Sequence, residues 1–155
     1  MFTHHDLVQI ASKWAERVLK FPIVASELRC GGSREIPDVI AFRADSSLII
    51  ECKTSINDFR KDFIKPERNG QRVGVGNYRI YCAPTGVIPL DKVPQSWGLI
   101  EVGNKGNVQL IRFKQGNLYH SNNSLEEYRN SDLFFHQSDL EIERAFLYSI
   151  LRRRK

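Results

Sequence analysis

Pro37-Asp38 and, after an interval of twelve residues, Glu51-Cys52-Lys53 are the positions in this chain whose types and spacing could do chemistry. The interval holds two apolar runs, Ile36–Phe42 and Leu48–Lys53, around Ala44-Asp45-Ser46-Ser47, which spells two antiparallel strands and a hairpin turn. A turn centred between Asp45 and Ser46 places Asp38 opposite Lys53 and Ile40 opposite Glu51. Side chains alternate along a strand, so Asp38, Glu51 and Lys53 share one side while Cys52 points to the other. Two carboxylates and an ammonium at one margin of a sheet are costly to desolvate, and a hard divalent cation takes oxygen ligands of this kind. The competing reading is an ordinary cross-strand ion pair on a solvated face. Proline makes up only about 5% of average sequence, so a chance Pro-Asp at hairpin distance from Glu-x-Lys is uncommon.

These residues need a scaffold, and the chain is long enough to supply one. At 155 residues with 41% hydrophobic content, it reads as a single domain over 1–155 with its own core. No apolar run approaches the roughly 20 residues that span a bilayer, and the first residues lack the basic-then-apolar form of a secretion signal. The expectation is a cytoplasmic protein without a membrane partner. Cys30, Cys52 and Cys82 are odd in number and widely spaced, which argues against a disulfide framework or a zinc site and for buried, reduced thiols. The formal charge is +5, but the tail Arg152-Arg153-Arg154-Lys155 carries four of those charges. Placement matters more than the total. Arg60, Lys61, Lys65, Arg68, Arg72 and Arg79 follow the Glu-Cys-Lys run directly, and a basic surface beside carboxylates suits a phosphate backbone.

Thr3 and Asp6 have capping-box spacing, and Leu7, Ile10, Ala11, Trp14 and Val18 recur with helical period to about Leu19, where Pro22 closes the element. Ile23–Cys30 reads as a first strand, Gly31-Gly32 as a turn, and the two strands above complete a meander. Thr54-Ser55 caps a second helix with Ile56, Phe59 and Phe63 on one face. A glycine-containing loop over 69–76 leads to a strand at Tyr78–Ala83, and Trp97–Val102 with Val108–Phe113 form a final hairpin. Residues 117–155 read as a C-terminal helical extension, with one helix capped by Ser124 and a last one opened by Ser138 and Glu141. The class is α/β, in the order helix, three strands, helix, strand.

Pro-Asp on the second strand and Glu-Cys-Lys on the third, in that element order, resemble the core of the PD-(D/E)XK nuclease superfamily. The likeness extends through Ser55-Ile56-Asn57-Asp58-Phe59-Arg60-Lys61-Asp62, Lys65, Tyr81-Cys82-Ala83-Pro84 and Trp97-Gly98-Leu99-Ile100, which looks like the MmcB-like branch of DNA-repair endonucleases. It covers about residues 5 to 102. The resemblance implies a restriction-endonuclease-like core (α-β-β-β-α-β), with a mixed central sheet flanked by helices and C-terminal helices added. It also implies DNA as partner and phosphodiester hydrolysis, endonucleolytic in the family's manner, as the activity.

Carried over residue by residue, the likeness implies Asp38, Glu51 and the Cys52 backbone carbonyl as ligands of magnesium, which manganese could replace, and Lys53 beside the attacking water. Superfamily members often add an acidic residue from the first helix, which here implies Glu16, with Glu27 and Glu35 as rivals. Lys65 matches a basic position of the pattern, and Arg60 and Arg72 extend it as DNA contacts. A binding module that keeps the fold without turning over is the alternative, and a homodimer would be the form that pairs two sites for a double-strand break. Gly74-Val75-Gly76 precedes a strand and opens no helix, which argues against a phosphate loop. His4, His5, His120 and His136 show no metal-ligand spacing and receive no catalytic part. Tyr78, Tyr81 and Trp97 fit core packing better than base stacking.

Overall fold

A computed structural model describes residues 1–31, 33–114, 118 and 132–154. The helix expected from Ser124 lies outside those residues, as does most of the connection before it. The chain runs α1 (His4–Arg17), β1 (Ile23–Ser26), β2 (Val39–Phe42), β3 (Ser47–Cys52), α2 (Ile56–Asp62), β4 (Tyr78–Pro84), a single 3-10 turn (Leu90–Lys92), β5 (Gly98–Val102), β6 (Val108–Arg112) and α3 (Leu140–Arg153). The strands form one six-stranded mixed sheet in sequence order. The β1–β2, β2–β3 and β5–β6 pairs are antiparallel, and β3–β4 and β4–β5 are parallel. The chain is therefore a mixed α/β fold with helices flanking a central sheet. No helix among the described residues is long and apolar enough to cross a membrane.

Alternation along the buried strands divides the core in two. Val39, Ala41, Leu48, Ile50, Cys52, Ile80 and Cys82 face α1, whose Leu7, Val8, Ala11, Trp14 and Ala15 cover them. Ile40, Ile49, Tyr81, Ala83 and Leu99 face the other way, against Phe59 of α2 and Phe146 and Ile150 of α3. A buried sheet covered on both faces needs apolar residues at every position, which is why β2 and β3 read as continuous apolar runs. The three cysteines are free and buried, as expected.

Helix α1 starts with the capping box the sequence announces: the Thr3 hydroxyl accepts from the Asp6 N–H and the Asp6 carboxylate accepts from the Thr3 N–H. Ser55 caps α2 through the Asp58 N–H. The cap of α3 is Asp139, one residue after the expected Ser138, because it is the Asp139 carboxylate that accepts from the Ile142 N–H. Strand β1 stops at Ser26, four residues earlier than Ile23–Cys30 suggests, since Glu27 turns left-handed with φ at 50°. Strand β2 begins at Val39, and Ile36 is exposed.

The hairpin turn sits one residue earlier than expected. Arg43 N–H donates to the Ser46 carbonyl at 2.8 Å, so Ala44 and Asp45 are the two central residues. The register becomes Val39 with Ile50, Ile40 with Ile49 and Phe42 with Ser47. Continuing it by one step sets Asp38 opposite Glu51, where the sequence reading had set Lys53. The displacement is by two residues, so every side chain keeps its face.

Candidate active site

The carboxyl-terminal ends of β3 and β4 and the start of β2 meet at one rim of the sheet, the place where open α/β sheets bind ligands. Asp38 lies at that rim with its side chain 16% exposed, and its Oδ2 accepts the Cys52 N–H at 2.7 Å. Glu51 is 2% exposed. Burial, and then the negative charge of Asp38, raises the Glu51 carboxyl to about 8, against the opposing pull of Arg68. The two carboxylates that the sequence singles out are thus brought together, in mutual repulsion.

Lys53 shares their side of the sheet and is also buried, but its ammonium goes elsewhere. Its Nζ lies 3.2 Å from Oδ1 of Asp62, the last residue of α2. Lys65 Nζ reaches the same oxygen at 2.9 Å. The second oxygen of Asp62 accepts from the Tyr81 hydroxyl and from Arg68 Nε, the latter at 2.7 Å. Burial would raise the Asp62 carboxyl, yet Arg68, Lys53, the Tyr81 hydroxyl and Lys65 outweigh it and hold the group well below the usual carboxylate range. Glu51 and Asp62 therefore titrate in opposite directions within one cluster.

Arg68 joins the two. Its Nη2 lies 3.0 Å from Glu51 Oε1 and its Nη1 lies 3.1 Å from Glu35 Oε2, while its guanidinium carbon stands 4.6 Å from the centre of the Trp97 ring. Glu35 also accepts the Val75 N–H at 3.0 Å, tying the loop before β4 into the cluster. Tyr81 stacks on Trp97 with ring centres 4.3 Å apart, and both side chains are buried, as core packing requires.

On the outer flank of Asp38 stand His4, which no local spacing announces, and Glu27, one of the two rivals to Glu16. His4 Nε2, in the first turn of α1, lies 3.2 Å from Asp38 Oδ1 and 3.5 Å from Glu27 Oε1. One donor atom from each of His4, Glu27 and Asp38 fits within 4.8 Å. His4 had been given no part, because its partners are 23 and 34 residues away and no local spacing announces them. Glu16 does not join this group: it is exposed on α1, twelve residues beyond His4, or about 18 Å along the helix axis. Of its two rivals, Glu27 stands beside Asp38 and Glu35 binds Arg68.

The basic residues divide in the same way. Lys65 is part of the cluster through Asp62. Arg60 is exposed on α2 with Asn57 as its hydrogen-bond partner, and Arg72 lines a separate pocket of about 180 Å³ beside Glu35 and Glu67. Neither touches the carboxylates among the contacts described. A larger cleft of about 730 Å³ opens directly at the rim, bounded by Phe2 and His4, Thr54 after β3, Pro84 at the end of β4 and Val87 beyond it, and Asn104 after β5. It combines apolar surface with hydroxyl and amide groups, next to His4 and thus to Asp38.

No family model matches the chain, and no curated protein does. Among solved structures, the SPO1766 protein of unknown function from Silicibacter pomeroyi is similar over 98% of this chain and 92% of its own, with a TM-score of 0.54 at 15% identity. That likeness concerns the fold alone.

Proposed function

We propose that this chain is a magnesium-dependent nuclease that hydrolyses phosphodiester bonds in DNA, built on a restriction-endonuclease-like core. The observation that carries this reading is the pairing of Asp38 with Glu51 at an open sheet rim. Glu51 is almost wholly buried and is pushed toward its protonated form by that burial first and then by the charge of Asp38. A fold that spends stability on two opposed carboxylates gains it back when a hard cation sits between them. The element order α1-β1-β2-β3-α2-β4 and the Cys52 side chain turned into the α1 core, leaving only its carbonyl for the rim, support the same assignment.

In this reading Asp38, Glu51 and the Cys52 carbonyl hold the cation, with His4 and Glu27 orienting Asp38 from outside. When bound, magnesium supplies Lewis-acid stabilisation of the charge that develops on the phosphate and makes a water more acidic. The protein's own groups do the rest. Lys53 orients the attacking water and donates to the phosphate oxygen as negative charge builds, and Asp62, 3.2 Å from its Nζ, holds that ammonium in place. The rim cleft receives the nucleotide next to the scissile bond, with Phe2 and Pro84 as apolar walls and Lys65 toward the phosphates.

A binding module of the same fold is the second reading, and one observation favours it: Arg68 already offsets Glu35, Glu51 and Asp62 without any cation. Incubating the purified protein with supercoiled, linear, single-stranded and branched DNA, in magnesium, manganese or chelator, separates the two. The nuclease cuts only with a divalent ion and loses cutting in both Lys53→Ala and Asp38→Ala. Cutting that persists in the double variant rejects the mechanism. Retention of DNA without cutting under every ion selects the binding module.

A further inference from the structure

Glu51 lies on β3 and Lys53 directly follows the strand's last residue, so the two share one side, yet the ammonium of a lysine swings on four flexible bonds and needs something to hold it. The holder is Asp62, and what holds Asp62 is Arg68. The Arg68 side chain is 3% exposed and projects from the turn region after α2, where no helix or strand fixes it. Each of its three nitrogens meets a different carboxylate from a different part of the chain: Nε meets Asp62 at 2.7 Å, Nη1 meets Glu35 at 3.1 Å and Nη2 meets Glu51 at 3.0 Å. The guanidinium carbon stands 4.6 Å from the centre of the Trp97 ring, which packs against one side of the group.

We propose that Arg68 is a positioning residue that locks the Glu51 carboxylate and, through Asp62, the Lys53 ammonium into one rigid unit at the rim. This rests on the nuclease reading and extends it to a residue that touches neither cation nor phosphate. The geometry distinguishes positioning from mere cohesion. Glu51 gives Oε1 to Arg68, which sets the direction of the carboxylate, while Asp62 divides its two oxygens so that Oδ2 faces Arg68 and Tyr81 and Oδ1 faces the lysines. A buried ionic network of this size is a poor way to gain stability compared with packed apolar side chains. What it does provide is fixed separation between charged groups, and only a planar fork with donors in three directions can do so. Lysine is a point donor and cannot bridge three carboxylates.

The test uses Arg68→Lys and Asp62→Asn in the full chain, each checked for folding by circular dichroism and thermal denaturation. Cleavage of an oligonucleotide is then resolved into kcat and KM, and magnesium affinity is measured by calorimetry without DNA. Arg68→Lys is expected to lower kcat about 100-fold, the usual consequence of misplacing a reacting group by an ångström, and to weaken magnesium binding, with KM for DNA little changed. Asp62→Asn keeps the shape of the side chain and leaves Glu51 with Arg68. It should lower kcat while leaving magnesium affinity as in the unaltered protein, and it carries the test alone if Arg68→Lys does not fold. A folded Asp62→Asn variant with unaltered kcat overturns the inference, as does a loss of activity that follows only the folded fraction. If the unaltered protein itself cuts no DNA with any cation, it is the nuclease reading that fails.

Discussion

Replacing Glu51 by glutamine should make the metal-free protein more stable while abolishing its response to magnesium. Glu51 titrates from 4.5 in the unfolded chain to about 8 in the fold, chiefly through burial and then through the charge of Asp38. Between those values the folded protein binds the extra proton, so its stability is full below pH 4.5 and declines as pH rises toward 8. At about 1.4 kcal/mol per unit, the ionised carboxylate costs the fold on the order of 4 kcal/mol at pH 8. Glutamine stands in for the protonated carboxyl and can still accept from Arg68, though with a differently shaped donor side. Taking half of the cost as recovered gives about 2 kcal/mol, or roughly 4–8 °C in Tm for a domain of this size. The assay is thermal denaturation of both proteins at pH 6.5 and 8, in chelator and in magnesium. Magnesium should raise the midpoint of the unaltered protein, more at pH 8, and leave Glu51→Gln where it is. A variant that is less stable than the unaltered protein in chelator would show that Glu51 serves the Arg68 network structurally, and the metal argument would be refuted.

Three further outcomes follow from other parts of the molecule. His136 is pushed down to about 4 by burial and then by Arg79, and its Nδ1 lies 3.0 Å from the Gly76 carbonyl, so the unfolded chain binds the extra proton and stability rises from pH 4 to 6.5 and is flat above; His136→Gln should remove on the order of 2 kcal/mol of that slope, read from urea midpoints at pH 4.5 and 7. Gly98→Ala should cost about 2–4 kcal/mol in denaturant unfolding, because a Cβ there would stand 2.8 Å from the Arg112 carbonyl oxygen and 2.8 Å from Phe113. Calcium, a divalent ion that fills oxygen sites, should tighten binding of a labelled DNA oligonucleotide relative to chelator, by fluorescence anisotropy, and equal affinities under both conditions would contradict a cation at the rim.

How much of this was legible in the sequence depended on the range of the interactions. The capping box at Thr3, the alternation of β2 and β3 and the hairpin β5–β6 are set by residues a few positions apart, and all appear where expected. The turn at Ala44-Asp45 was misplaced by one residue, since neither Asp45-Ser46 nor Ala44-Asp45 contains the glycine or asparagine that marks a two-residue hairpin. The error moved Asp38 from Lys53 to Glu51 without turning any side chain over. Period-two alternation thus carried the convergence of the carboxylates even though the register was off.

The Arg68 hub was not legible. Its three carboxylates lie 33, 17 and 6 residues away, and only the last is close enough to suggest a local contact. Within a run of six basic residues, nothing in the sequence separates the buried arginine from exposed Arg60 and Arg72. His4 escaped notice for the same reason, and Glu27 stood only as a rival to Glu16: they reach Asp38 because α1 begins and β1 ends at the same rim. Glu16 misled because a helical position says which face a residue takes but not which end of the helix meets the sheet rim.

The charges of the inner cluster explain why buried ionic groups and function need not compete here. Asp38, Glu35 and Asp62 face Lys53, Lys65 and Arg68 across the cluster, burial raises the Glu51 carboxyl to about 8, and Arg79, 5.0 Å from the centre of the Trp97 ring, adds a further cation at its edge. In the nuclease reading, a divalent cation binding beside Asp38 would displace the Glu51 proton and add one unit of positive charge to the cluster. In that reading a phosphodiester is drawn more strongly to the loaded site than to the empty one. Arg68 couples this arrangement: among the contacts described it is the residue that meets Glu35, Glu51 and Asp62 together, while Lys53, Lys65 and the Tyr81 hydroxyl also hold Asp62.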